Sequence, residues 1–228
     1  SIPLTIGTSN AISFPTFDSG TAGDTLAIGR GALGGTTPSA AAYQAVAIGA
    51  LTMSGNGITT AAIKNTAVGY NALPALTSGA NNTGVGHGAL AGITSGSNNI
   101  GLGQGAAAAF TTQNNSIGIG AGALGSATGS TSIGIGTSAA ANETSGTVTA
   151  IGVTAGQFIS SGGGQTALGY SAMLGITGTR ITGTNNTALG QQAGLLLQGA
   201  AASNALVGSL AGSSITTGTN NVVLGPSV

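Results

Sequence analysis

Charge is almost missing from this chain. Its 228 residues hold three Lys or Arg and three Asp or Glu, where an ordinary soluble domain carries about 25% charged residues. Arg30, Lys64 and Arg180 are set against Asp18, Asp24 and Glu143, for a formal net charge of zero. No basic patch is therefore available for a phosphate backbone, and nucleic acid is not expected as a partner. Cysteine is absent, which removes disulfides and thiolate metal sites and leaves the redox compartment unreadable. No apolar run approaches the ~18 unbroken residues of a spanning helix, so membrane insertion is not expected. Low charge also occurs in disordered chains, but those lack regularly spaced aliphatic positions. The chain opens at Ser1 without a signal peptide, and is read as processed or as a segment of something longer.

What is present is glycine, 44 residues of it, and a phrase close to Asn-Thr-Ala-Val-Gly-x-x-Ala-Leu that returns about every 17 residues. The copies align on a corner glycine: Gly29, Gly49, Gly69, Gly86, Gly103, Gly120, Gly136, Gly152, Gly169, Gly190, Gly208 and Gly225. Before these stand Ile28, Ile48, Val68, Val85, Leu102, Ile119, Ile135, Ile151, Leu168, Leu189, Val207 and Leu224, aliphatic in every copy. Alanine follows three residues after the glycine in ten of the twelve copies. Spacings of 16 to 21 residues lie below the helical-repeat lengths and suit a coil of short strands and turns.

Residues ahead of the corner alternate in size, as in Ile117-Gly118-Ile119 and Thr66-Ala67-Val68, and that is the period of a strand. The expectation is that the aliphatic positions from Ile28 to Leu224 fill a core. The small residues between them, such as Ala67 and Gly118, would leave a bare opposite face where another backbone approaches. Thr66, Thr83, Thr149, Thr166 and Thr187 share the inward position on this reading. Pairs such as Asn81-Asn82, Asn98-Asn99 and Asn185-Asn186 supply turns, because Asn tolerates positive φ, and stacked in register they would form a hydrogen-bonded ladder. The Ala-Leu step after the corner, Ala72-Leu73 or Ala123-Leu124, would begin a second strand. The fold class is all-β, a parallel β-roll or solenoid of about twelve short coils over residues 25–228. Residues 1–24 lack the repeat, carry Pro3, Phe14, Pro15 and Phe17, and are read as a cap or junction.

The phrases Asn65 to Leu73, Asn82 to Leu90 and Thr166 to Ala172 resemble the head repeats of trimeric autotransporter adhesins of the YadA-like type. Similar repeats look familiar from phage tail and head fibres. The likeness covers roughly residues 25 to 225, and the period here is longer than in the adhesin heads. What it implies is a left-handed roll, three chains side by side, displayed extracellularly on a virion or bacterial surface and used for attachment.

Motifs of chemistry are sparse. Gly84 to Ala89, Gly101 to Ala106, Gly118 to Ala123 and Gly134 to Ala139 match the dinucleotide fingerprint, but a true fingerprint occurs once, with an acid about 20 residues on. Here four consecutive repeats carry it, so no nucleotide is assigned. One histidine and scattered carboxylates give no acid–base pair. No enzyme activity, cofactor or metal is expected, and His87 is read as a solvated position or one near a trimer axis. Exposed residues in the long connections, Tyr43, Lys64 and Arg180, are the candidate receptor contacts. The expected function is a non-enzymatic trimeric fibre that binds a host glycan or surface protein, with fibre or virion proteins at its ends. Two alternatives are a purely architectural component without a receptor, and an ice-binding solenoid.

Overall fold

The computed structural model describes residues 5–6, 10–11, 26–34, 44–55, 58–59, 61–144 and 146–226. Two short strands, β1 (Thr5–Ile6) and β2 (Asn10–Ala11), pair antiparallel; the rest of the expected cap lies outside the described residues. The chain divides into two compact units, Ser1–Asn114 and Asn115–Val228. The first holds β3 (Leu26–Ile28), β4 (Val46–Ile48), β5 (Thr66–Val68), β6 (Thr83–Val85) and β7 (Ile100–Leu102). The second holds β8 (Ile117–Ile119), β9 (Ile133–Ile135), β10 (Val148–Ile151), β11 (Gln165–Leu168), β12 (Thr187–Leu189), β13 (Ala205–Val207) and β14 (Val222–Leu224). From β3 onward every strand within a unit pairs in parallel with the next in chain order, and equivalent repeat positions face one another: Ala67 with Gly84, Val68 with Val85, Ile135 with Ile151. Twelve parallel strands, with no helix among the described residues, make this the expected all-β solenoid.

The strand faces are the reverse of the expectation. Ala47, Ala67, Ala150, Ala167 and Ala188 are fully buried, and Gly84, Gly101, Gly118 and Gly134 are buried with them. The positions assigned to the core, Ile28, Ile48, Val68, Val85, Leu102, Ile119, Ile135, Ile151, Leu168, Leu189, Val207 and Leu224, point outward and are half-buried or exposed. The physical reason is volume. A coil this short encloses a thin interior, and the opposite wall already fills it with Leu73, Leu76, Leu90, Ile93, Phe110 and Leu124, all fully buried. A β-carbon on Gly134 would sit 3.0 Å from Leu124 Cγ and 2.8 Å from the Ala139 carbonyl oxygen. Where that wall carries glycine instead, at Gly194 and Gly212, the strand supplies Leu206, and β-carbons on those glycines would lie 2.8 and 2.7 Å from its methyl groups.

The second strand is replaced by turns. Every corner glycine has φ between 110° and 138°, a region closed to side chains; a β-carbon on Gly69 would lie 2.7 Å from the Gly86 carbonyl oxygen. Positive φ recurs two and four residues on, at Asn71 and Leu73 or at Gly88 and Leu90. Left-handed backbone costs a leucine roughly 1–2 kcal/mol, which burial at about 1.5–3 kcal/mol offsets. Coil-to-coil bonds continue through these turns, with Leu73 N donating to Ala89 O at 3.1 Å and Leu90 N to Ala106 O at 2.9 Å.

The asparagine ladder forms as expected. In four pairs the first Asn takes positive φ (Asn81, Asn98, Asn185, Asn220) and the second turns inward, whereas in Asn114-Asn115 the second takes positive φ and is exposed, with Ser116 at the inward position. Asn82 Nδ2 donates to Gly96 O at 2.8 Å, while its Oδ1 accepts from Asn99 N at 3.0 Å and Asn99 Nδ2 at 3.1 Å. The second unit repeats this, with Asn204 N and Nδ2 donating to Asn186 Oδ1 at 3.1 and 2.8 Å. Two outcomes follow for thermal unfolding watched by circular dichroism. Gly134→Val overfills the interior and should destabilise by about 1–3 kcal/mol. Asn82→Ala leaves Gly96 O and Asn99 N without their buried partner and should cost about 1–3 kcal/mol for each.

Candidate interaction surface

Turning the strands outside in places two side-chain columns on the outer face of each unit's sheet. In the first unit they run Leu26, Val46, Thr66, Thr83, Ile100 and Ile28, Ile48, Val68, Val85, Leu102; the second unit continues the pattern from Ile117 and Ile119 to Val222 and Leu224. Neither column contains a charged residue. Val85 is 38% exposed, Leu168 39%, Leu189 42% and Leu224 75%, so the chain alone leaves this face uncovered. The threonines, expected inward, lie in the outer column, where Thr66 pairs with Thr83 and Thr166 with both Thr149 and Thr187. A hydroxyl at that position in five copies was the sequence signal that the face is not a core, since a buried hydroxyl needs a partner.

The residue after each corner glycine forms a third column at the border of the sheet. Register is fixed by the backbone, with Leu51 N donating to Arg30 O, Asn71 N to Ala50 O, Gly88 N to Tyr70 O and Gly105 N to His87 O, at 2.9 to 3.0 Å. Arg30, Ala50, Tyr70, His87 and Gln104 therefore follow one another rung by rung. Tyr70, half exposed, lies parallel to His87, with ring centroids 5.4 Å apart and planes 6° from coplanar. Sequence reading found these residues singly and missed that consecutive corners bring the rings together. In the second unit the equivalent column includes Val153, Tyr170 and Gln191.

Of the candidate receptor residues, Tyr43 lies outside the described residues. Lys64 is exposed in the first unit, in a left-handed turn just before β5. Arg180 is exposed in the second, at the end of a small protrusion, Ile176 to Arg180, in which every residue is exposed. The protrusion closes on itself through an antiparallel bridge from Ile176 to Thr179 and stands on Ile181, which is fully buried and bridged in parallel to Ile159 and Gly199. Phe110 is core, whereas Tyr170 is 53% exposed.

All four fingerprint matches, from Gly84, Gly101, Gly118 and Gly134, begin inside a strand and run into turns with no helix. Glu143, the one carboxylate among the described residues, is buried, where its Oε2 accepts from Ser132 Oγ at 3.2 Å and its Oε1 from Gly146 N. Among the described residues no three His, Asp or Glu gather as metal ligands, and no helix is long and apolar enough to cross a membrane. No family model, characterised protein or solved structure matches this chain. The protrusion and its base should separate on substitution. Thr177→Ala with Arg180→Ala should change stability by less than about 0.5 kcal/mol, whereas Ile181→Ala should cost about 2–5 kcal/mol, both read from denaturant unfolding.

Proposed function

We propose that this chain is a segment of a non-enzymatic trimeric fibre, a left-handed β-solenoid displayed on a virion or bacterial surface and used for attachment to a host. The observation that carries the reading is the outward sheet face, two columns wide and without charge. Exposed apolar surface of this continuity marks an interaction site in soluble proteins. A flat, repetitive strip on identical chains is best covered by copies of itself arranged about a closed axis. Three is the number that the adhesin-like repeats imply. With the sheets turned to the axis, protrusions such as Ile176 to Arg180 remain outside, where weak contacts repeated three times gain avidity without any catalytic group. Fibre or virion proteins would cover the two ends, and a host glycan or surface protein would be the receptor. A purely architectural role predicts instead that the protrusion is buried against another protein of the assembly.

The outward threonines favour a second reading. Rows of Thr beside aliphatics on a flat exposed sheet are what an ice-binding solenoid would present, and that reading requires the face to stay open. Solution mass separates the two. Light scattering should give three chains of 21.1 kDa, and Leu189→Glu, which changes a 42% exposed side chain, should reduce that mass to a single chain while the circular dichroism spectrum is kept. A wild-type mass of one chain, with freezing-point depression, would overturn the fibre and establish the ice-binding reading.

A further inference from the structure

The border column of the first unit holds a gap one rung wide. Tyr70 is backed on one side by the parallel ring of His87. On its other side the next residue in register is Ala50, a single methyl group, and beyond that comes Arg30. Neighbouring parallel strands lie ~4.8 Å apart, so Arg30 and Tyr70 stand on rows separated by about 10 Å. One ring stacked between two flat groups needs roughly 3.5–4 Å on each side, or about 7–8 Å in all, by ordinary van der Waals contact. The gap between these rows therefore admits one ring and not two, with Ala50 at its floor, the Tyr70 ring on one side and the row of Arg30 on the other. Both flanking residues are exposed. The second unit supplies the contrast: next to Tyr170 stands Val153, 44% exposed, whose branched side chain fills the position that Ala50 leaves open.

We propose that this slot binds a carboxylated pyranose, a hexuronate or sialic-acid type sugar, of a surface glycan. The apolar face of a pyranose stacks on an aromatic ring, and a ring already held by a parallel neighbour loses little freedom when it does so. Arg30, on the row across the gap, carries a long exposed side chain whose guanidinium can turn edge-on to the sugar's carboxylate and meet it with two parallel N–H donors. Neutral sugars would gain the stack without the ion pair. The inference rests on the attachment reading and names the ligand class for it.

The test is binding of the full chain to immobilised oligosaccharides, one set ending in glucuronate, one in sialic acid and one in glucose or galactose, with intact host cells assayed in parallel. Expected is a preference of at least about tenfold for a carboxylated set over the neutral one, a loss of about tenfold or more in Tyr70→Ala, removal of the acid preference in Arg30→Gln, and wild-type binding in Tyr170→Ala. The two carboxylated sets identify which source the slot takes. Wild-type protein that binds neither of them, Tyr70→Ala that binds as wild type, or Tyr170→Ala that loses as much as Tyr70→Ala would each overturn the slot. Cell binding that survives Tyr70→Ala unchanged would overturn it while leaving attachment standing, whereas absence of any cell binding by the wild type would overturn attachment itself.

Discussion

Everything in each unit depends on in-register stacking: a residue at one position of the repeat meets the same position one rung along, at about 4.8 Å. Because of that constraint a property repeated in sequence becomes a column in space. Backbone bonds from Gly86 N to Val68 O and from Gly103 N to Val85 O, both 2.8 Å, are the same bond made twice. The corner glycines are its price, since the positive φ that brings each turn close to the next leaves no room for a side chain. A coil has too little interior to stand by itself, so stability is shared between neighbours.

Thinness of the interior then sorts the side chains. One wall supplies Leu73, Leu90 and Leu124, and the facing strand must supply Ala67, Gly84 or Gly134. At Gly194, Leu206 and Gly212 the bulk has moved from the wall to the strand, and at Gly156, which faces Ala150, Ile159 comes in instead, as expected for close-packed interiors. Larger strand residues go outside because nothing inside can take them. The apolar outer face is thus a consequence of the narrow coil, and the fibre reading supplies a use for it.

The solenoid, its corner glycines and the asparagine ladder were legible in the sequence because each is a local property multiplied by the period. Which strand face points inward was not, because alternation gives two faces without saying which is which. Two clues stood in the repeat, namely threonine in the outer column and the bulky Ala-Leu step that needed its own place inside. Reading Ala72-Leu73 as a strand failed since the left-handed leucines, Leu73 and Leu90 among them, break a rule that leucine ordinarily keeps. The Tyr70 and His87 stack was hidden in a column that varies from copy to copy, where period carries no information.

Glu143 shows how strictly the ladder is enforced. Three consecutive coils of the second unit carry Ser116, Ser132 and Val148 where Asn82, Asn99, Asn186 and Asn204 stand in others; the serine hydroxyls still accept from the next coil, from Ser132 N at 3.2 Å and Val148 N at 3.3 Å, but lack the amide arm with which Asn82 reaches Gly96 O. Seven residues after its corner glycine, where other coils place Leu76, Ile93, Phe110 or Ile159, this stretch places a glutamate instead. Its carboxylate accepts from Ser132 Oγ and from Gly146 N, and Gly129 beside it has no side chain; a β-carbon there would collide with both carboxylate oxygens. A chain with only three acidic residues spends one of them inside. Buried polar groups have to be met, and here the apolar column gives up a position so that a carboxylate meets Gly146 N and the Ser132 hydroxyl.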